Sequence, residues 1–595
     1  MITLDFETEA IVGNPLANPP KPVGLAIYAS GKEPEYVVGW EGMKEMWSWA
    51  IAFGSELLFH NAPFDLSVGT HWFGTPWPDW QRVHDTIYLG FLKDPYSPTL
   101  SLKPLSQRYL GMDPNEQDEL HGWIIAHVSE ATEKTAGAFI SRAPVSLVAP
   151  YAISDVVRTR RLFDFLYPQV PRIPYDRERR LMPKLAESSR RGIRVDRERL
   201  EKDVVLSEAG FIESERRIFD LLGVGRFDLS KGAQLADALE KSGKVTNWVL
   251  TPTGKRSTAR DNLLPNIADP GLSNLLAYHS VMKTCLTTFM RPWEALSRPD
   301  GRLHTQWNQV ANDEGPRGHS GTRTGRLSSS DPNLQNVPNK FPDTIPEGLP
   351  PLPNMRVYLL PERGHVWIKR DFSSQEVRLL AHFEDGSLME MYRSDPFFDP
   401  HKMAQEMMLV ITSQLYARPD VKIVAFSIIY GSGVPGLASQ LGRPLEEARI
   451  LRDAYYQAVP SLPKLAASIK ARARSGGCIT TWGGRQYFCE TKIVDGTVRS
   501  FDYKLLNYLI QGSAADQTKE VLCNWWEDTD RSAIFMATVH DEVNASAPAE
   551  QRNDQMRLLR LHMDADLFDV PMRSEGEFGP TWGSLTKIKR EEEYN

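Results

Sequence analysis

Ile534-Phe535-Met536-Ala537-Thr538-Val539-His540-Asp541-Glu542-Val543-Asn544-Ala545-Ser546 reads as two strands folded back on a tight acidic turn. The apolar flanks predict strands over 534–539 and 542–546, which would hold Asp541 and Glu542 on a stiff support. Rigid carboxylates are what a hard cation such as Mg²⁺ requires. Acidic turns are common and most are simply solvated, so this one takes its meaning from what lies upstream. Val366-Trp367-Ile368-Lys369-Arg370-Asp371 predicts a buried strand ending in a second carboxylate, and Ser373 and Ser374 open a helix that carries Glu376. Taken alone, Asp371 reads first as an ordinary helix cap.

Between the two acids, Arg418-Pro419-Asp420-Val421-Lys422-Ile423-Val424-Ala425-Phe426-Ser427-Ile428-Ile429-Tyr430-Gly431 predicts a helix, with proline in its first turn and glycine at its stop. Arg418, Lys422, Phe426 and Tyr430 recur every four residues and share one slowly drifting face. Cations at the positive end of a helix suit a polyphosphate. Aromatic rings one and two turns later suit a sugar and a base. The competing reading is an amphipathic helix with core aromatics and solvated charges; it is weaker for the ordered set than for any one residue.

At 595 residues the chain is long enough for several domains. Hydrophobic residues make up 41% and charged residues 24%, an ordinary soluble composition. Cys285, Cys478, Cys489 and Cys523 have no metal or redox spacing and read as reduced thiols of an intracellular protein. The start has no secretory pattern, and no apolar run reaches membrane-spanning length. The net charge of −7 is unevenly spread. Residues 1–170 carry 12 basic and 20 acidic side chains, which leaves the rest near +1 with basic groups at Arg190-Arg191, Arg317, Arg323, Arg326 and Lys470–Arg474. Local basic surface, not overall charge, decides phosphate binding.

The first 170 residues alternate strand-like runs (Ile2–Phe6, Leu57–Phe59) with helical ones and end in a helix over Ala149–Tyr167. The three prolines of Pro168–Pro174 mark a boundary. Residues 177–239 are helical and charged, interrupted at Gly192–Asp196, and residues 312–354 are loop-rich. On the first strand, Thr3, Asp5 and Glu7 share one face while Ile2, Leu4 and Phe6 share the other. Two carboxylates on one face repel unless solvent or metal intervenes. Asp65 follows in Asn61-Ala62-Pro63-Phe64-Asp65, and Tyr151 and Asp155 stand one helical turn apart. Each piece alone reads as surface acid.

As an ordered set these residues resemble a known family. Asp371–Arg378, Arg418–Gly431 and Val539–Val543 are similar to motifs A, B and C of the family A DNA polymerases, the bacterial DNA polymerase I family. Thr324-Gly325-Arg326-Leu327-Ser328-Ser329 with Asp331–Asn336, and Asn507 with Gln511–Asp516, resemble two further hallmarks; Gly483-Gly484-Arg485 is a smaller echo. The resemblance spans residues 180–585. It implies an α+β right-hand polymerase domain over 176–595, with thumb about 190–300, palm about 301–395 and 500–595, and fingers about 396–499. It further implies that Asp371 and Asp541 hold two Mg²⁺ ions (Mn²⁺ as substitute), supported by His540 and Glu542. Arg418 and Lys422 would hold the triphosphate with His401, and Lys422 would also assist charge neutralisation or proton transfer to pyrophosphate. Phe426 and Tyr430 would pack near sugar and templating base. Glu376 would be a steric gate favouring dNTPs, and Arg326, Asn507 and Gln511 would contact primer–template DNA.

Asp5, Glu7, Asp65, Asp155 and Tyr151 resemble the set of the DEDDy 3′–5′ exonucleases, implying an α/β, ribonuclease H-like proofreading domain over 1–175 with two metals, Tyr151 orienting the attacking water. Phe372 departs from the usual tyrosine of motif A, and Ser374-Gln375 shifts its polar residue by one position. Tyr503 stands where many members carry arginine, with Lys504 beside it as a candidate replacement. About ten extra residues, roughly 312–321, read as an inserted loop. The layout, with no 5′-nuclease before Asp5, resembles bacteriophage members and leads to the expectation of phage replication in the host cytoplasm, organellar origin remaining open. Replisome proteins such as a helicase-primase and a single-strand-binding protein are expected partners. The short interval 196–251 leaves little room for a processivity-factor insertion, and that partner is not expected. Two rivals share parts of the pattern: a single-subunit RNA polymerase, opposed by Glu376 and the N-terminal half, and a non-catalytic DNA-binding scaffold, opposed by Asp371, Asp541 and Lys422.

Overall fold

The computed structural model describes residues 1–589 apart from 114, 252, 316–317, 340, 343 and 530–531. The N-terminal unit is built on five strands, β1 (Ile2–Thr8), β2 (Pro22–Ala29), β3 (Glu35–Val38), β4 (Leu57–Phe59) and β5 (Val83–Asp85), in the order β3-β2-β1-β4-β5. β1 pairs antiparallel with β2 and parallel with β4, so the sheet changes sense at its centre. Its alternation sends Ile2, Leu4 and Phe6 into a core with Trp47 and Phe59. The opposite face is covered by the helix Val145–Leu166, whose Ala152 and Val156 pack on Ala26 of β2. That covering helix is what brings Tyr151 and Asp155 over the carboxylate face of β1.

The proline-marked boundary is a short turn, Tyr167–Gln169, followed at once by the helix Arg172–Arg191. This helix belongs to both sides: Tyr175 and Met182 enter the N-terminal core, while Leu181 and Leu185 enter the largest C-terminal one. Its polar face is buried too. Glu178 accepts from Lys519 Nζ at 2.7 and 2.9 Å and from Gln309 Nε2 at 2.7 Å, and it pairs with Arg485. Asp516 accepts from Arg485 Nε at 2.6 Å and Arg177 Nη1 at 3.1 Å. Tyr88 of the N-terminal unit donates to Gln309 at 2.8 Å. Gly483 permits this packing, since a Cβ there would lie 2.4 Å from the Asp516 carboxyl carbon.

The C-terminal part centres on a sheet of β6 (His365–Phe372), β7 (Ile534–Val539), β8 (Glu542–Pro548), β9 (Ser574–Gly579) and β10 (Thr586–Lys587), ordered β7-β8-β6-β9-β10 with every pair antiparallel. Helices Gln375–Glu384 and Leu505–Asp528 pack in the same core as this sheet. Five helices between Pro400 and Arg474 form one flank, and the long helix Arg197–Leu222 with Gly232–Lys241 and Pro270–Thr284 forms the other. Asp196 and Asp269 start their helices by accepting backbone N–H groups, and Pro270 fills a first-turn position that needs no donor.

The extra residues near 312–321 differ from the expected loop. Asn312–Gly315 and Gly318–Ser320 pair as a β-hairpin, with Pro316 and Arg317 outside the described residues. Glycine and asparagine give a loop-like composition, yet the pairing satisfies backbone groups that an irregular loop would expose. Asn312 Oδ1 accepts from the Leu100 N–H at 3.2 Å, anchoring the hairpin on the N-terminal unit. Asn312 and Ser320 also line a cavity of about 520 Å³ between the two parts, walled by Asn61, Phe64, Tyr88 and Gln309.

Candidate active sites

In the C-terminal site, sheet register assembles what sequence separates. Asp371 ends β6 directly opposite Glu542 of β8, and the turn residues His540 and Asp541 close the β7–β8 hairpin. His540 takes the left-handed backbone that such a tight turn asks for, φ +59°. The Phe372 N–H donates to the Asp541 carbonyl at 3.3 Å, tying the tip to β6. Asp371 is therefore a strand residue and not a helix cap. Burial, then the charges of Asp541 and Glu542, push its carboxyl up to about 8, with Lys369 working against them. Asp541 is raised as well, chiefly by burial, while Arg326 opposes the rise.

Asp371 Oδ1 is buried and has no hydrogen-bond donor among the described residues. A donorless carboxylate oxygen beside two further carboxylates fits a divalent cation. Glu542 is otherwise engaged: Asn544 Nδ2 donates to it at 2.9 Å, and Lys369 and Arg356 stand 3.6 and 3.9 Å away. Lys369 and Arg356 were not anticipated from sequence. Lys369 was within reach, because it lies two residues before Asp371 on the same strand face. Arg356 sits outside any motif.

The helix Arg418–Ile429 carries the predicted set. Arg418 pairs with Asp399 at 2.9 Å, and Lys422 Nζ lies 5.6 Å from the centre of the Phe426 ring. Phe426 in turn contacts His401 and Tyr430, with centroids 6.1 and 5.7 Å apart. Burial lowers His401 to about 4, so at neutral pH it offers a neutral imidazole instead of a cation. Tyr430 is raised to about 12, first by burial and then by the charge of Glu376. Glu376 pairs with Arg326, which links this helix to the Asp541 turn. Gly431 stops the helix at φ +70°, where a Cβ would come 2.6 Å from the Tyr503 carbonyl oxygen.

Asn507 and Gln511 lie one turn apart on Leu505–Asp528, and Asn507 Oδ1 is buried without a partner among the described residues. Gln375, the shifted polar residue, points away from the site and donates to Gln517 Oε1 at 2.9 Å. Lys504 does not stand in for the missing arginine as a free cation: Glu490 holds its ammonium at 2.9 Å.

In the N-terminal site, ligand oxygens of Asp5, Glu7 and Asp155 all lie within 4.8 Å of one another. Asp65, on the helix Ala62–Phe73, turns back to accept from the Phe6 N–H at 2.9 Å and joins them. Asp5 rises to about 8, through burial and then the charge of Asp155; Glu7 and Asp65 are raised too, both mainly by burial. Four clustered carboxylates on three packed elements, three of them raised, fit divalent cations. Asp85 is structural: it accepts from the N–H groups of Asn61, Ala62 and Ile87. The residue that sequence did not reveal is Lys103, whose Nζ donates to both oxygens of Asp155 at 2.5 and 2.6 Å.

These features can now be set beside known proteins. The fold is that of a right-hand polymerase: over 98% of this chain and 96% of the other it resembles the POL domain of Pol1 from M. smegmatis, solved with DNA primer-template and dNTP, at a TM-score of 0.77 and 22% identity. The sequence model of DNA polymerase family A matches residues 198–584, and the chain belongs to that family. It is 28% identical over 521 residues to DNA polymerase I of Pseudomonas aeruginosa, covering 84% of this chain and 53% of the relative. It is 29% identical over 426 residues to DNA polymerase I of Bacillus caldotenax, covering 69% and 46%. DNA polymerase DpoZ of Salmonella phage PMBT28 is 25% identical over 530 residues, covering 82% of each chain. The chain thus spans about half the length of the bacterial relatives it matches. Among the described residues no helix is long and apolar enough to cross a membrane.

Proposed function

We propose that this protein copies a DNA template from dNTPs at the Asp371–Asp541 site and removes mispaired 3′ ends at the Asp5–Asp155 site. The observation that supports the first activity most is the meeting of Asp371 and Asp541 at one end of the central strands, linked through Arg326 and Glu376 to Tyr430 at the end of the cationic and aromatic helix. Two Mg²⁺ ions, with Mn²⁺ as a substitute, would supply activation of the primer 3′-hydroxyl and neutralisation of the leaving pyrophosphate. Asp371 and Asp541 would hold them, and Glu542, fixed by Asn544, would keep the local charge negative. Arg418 and Lys422 hold the triphosphate, and Lys422 supplies a proton toward pyrophosphate. His401 donates to a phosphate oxygen as a neutral imidazole. Phe426 and Glu376 crowd the sugar, which selects against a 2′-hydroxyl, and Tyr430 borders the templating base. Arg326, Asn507 and Gln511 contact the primer–template duplex.

On this reading, residues 1–175 form a ribonuclease H-like exonuclease in which Asp5, Glu7, Asp65 and Asp155 hold two ions and Tyr151 orients the water. The rest divides into thumb about 190–300, palm about 301–395 and 500–595, and fingers about 396–499. The 82% mutual coverage with a phage polymerase supports a role in phage replication. The place of action is then the host cytoplasm, alongside a helicase-primase and a single-strand-binding protein. The test is extension of a labelled primer on single-stranded template with Mg²⁺. Asp541→Ala should lose extension and keep degradation of a 3′ single strand; Asp5→Ala should do the reverse. Extension surviving Asp541→Ala refutes the metal assignment, and loss of both activities in Asp5→Ala refutes the division of labour.

A further inference from the structure

Lys103 belongs to no motif, and its position is electrostatically unusual. It stands in the first turn of the helix Leu102–Leu110, where the positive end of the helix dipole disfavours a cation. Its side chain is only 11% exposed, and its ammonium bonds both oxygens of Asp155. The same Nζ lies 4.0 Å from the centre of the Tyr151 ring. Its charge also acts on Asp5 and Glu7, whose oxygens sit within 4.8 Å of those of Asp155. Burying an ammonium is costly unless carboxylates compensate it, and these carboxylates do.

We propose that Lys103 is a built-in counter-ion of the N-terminal carboxylate cluster: it occupies Asp155 in the metal-free protein, must leave it when a divalent cation binds, and so sets the metal affinity of that site. The inference rests on the reading of the cluster as the exonuclease metal site. Two arguments carry it. Lone pairs of Asp155 engaged by an ammonium are not free to ligate a metal, and an ammonium repels a divalent cation held by the same carboxylate. The four-carbon stem gives the cation somewhere to go, since the Tyr151 face can retain it once Asp155 is released. A metal ion then enters by exchange with a tethered cation instead of by filling four repelling carboxylates.

The experiment uses the full-length chain carrying Asp541→Ala, which removes the C-terminal metal site, and follows Mn²⁺ binding by electron paramagnetic resonance. Lys103→Met should tighten Asp5-dependent Mn²⁺ binding by about tenfold, the size of one close charge interaction. It should also lower the metal-free melting temperature and enlarge the rise that Mn²⁺ produces. Lys103→Arg, which keeps the cation, should restore both readouts to near the parent. Lys103→Gln is read in the same way as Lys103→Met should the methionine variant fail to fold. Equal or weaker Mn²⁺ binding by the neutral variants overturns the inference while leaving the exonuclease reading intact. If neither the parent nor the neutral variants show any Mn²⁺ binding that Asp5→Ala removes, the exonuclease reading and the inference fall together.

Discussion

Glu178→Gln tests what joins the two halves. Glu178 is fully buried, and its carboxylate is shared by Lys519, Arg485 and Gln309. Burial alone would raise its pKa, but Lys519 and Arg485 outweigh burial and hold it below the usual value. Glutamine keeps the volume and the acceptor toward Gln309 and removes only the charge. Two cations that are each about 2% exposed or less then lose their shared anion: Arg485 keeps Asp516, and Lys519 keeps the Gln309 carbonyl at 2.9 Å as a neutral partner. Breaking a buried pair from one side costs about 3–5 kcal/mol. The sign of the pH dependence follows from Lys519, which burial already lowers to about 8 against the support of Glu178. Without Glu178 its folded pKa falls further, while the unfolded value stays near 10.4. The unfolded chain then binds more protons, so stability rises with pH. In the parent this rise begins near pH 8; in the variant it begins lower, so between pH 7 and 8 the variant gains up to about 1.4 kcal/mol that the parent does not. Urea unfolding followed by tryptophan fluorescence at both pH values reads the two quantities, Trp525 lying buried on the helix of Lys519. A cost below about 1 kcal/mol, or equal pH slopes in variant and parent, refutes the reasoning.

Two further outcomes concern the C-terminal site. Glu376→Ala frees Arg326 and opens the space beside Phe426 and Tyr430, so discrimination against ribonucleotides in single-nucleotide incorporation should fall by about tenfold or more, 1.4 kcal/mol; unchanged discrimination removes Glu376 from the sugar pocket. Because Asp371 keeps its proton up to about pH 8 in the metal-free protein, metal binding must expel it. The Mg²⁺ concentration for half-maximal extension should therefore fall as pH rises from 6.5 toward 8 and level off above, and a flat profile across that range contradicts the burial argument.

Strand pattern and turn chemistry made the C-terminal sheet legible, because β7 and β8 are apolar on both sides of two acids and both strands are buried. The helix Arg418–Ile429 was legible for a different reason: its proline start, glycine stop and four-residue spacing are all local. What sequence could not supply was register. Nothing local places Asp371 opposite Glu542, or turns Glu376 onto Arg326 fifty residues upstream. The hairpin at 312–320 was missed because glycine and asparagine advertise a turn while the pairing that makes strands of them is a long-range gain. Lys103 and the cluster around Glu178 were invisible for the same reason, since each is a charge whose partners arrive from another element.

The two sites answer one electrostatic problem in different ways. Each gathers carboxylates in a poorly solvated place, where repulsion must be relieved before any metal arrives. At the C-terminal site the nearby ammonium of Lys369 is drawn to Glu577 at 2.9 Å and to Glu542, one strand position away from the metal-facing acid. Asp371 is left to relieve itself by protonation, and its Oδ1 stays open. At the N-terminal site the ammonium of Lys103 sits on the ligand itself, so relief comes from a cation that a metal has to displace. A proton leaves a carboxylate with little steric consequence, whereas a tethered lysine must find another resting place. The geometry therefore separates the two clusters: the C-terminal one relieves its repulsion with a proton, the N-terminal one with a tethered cation.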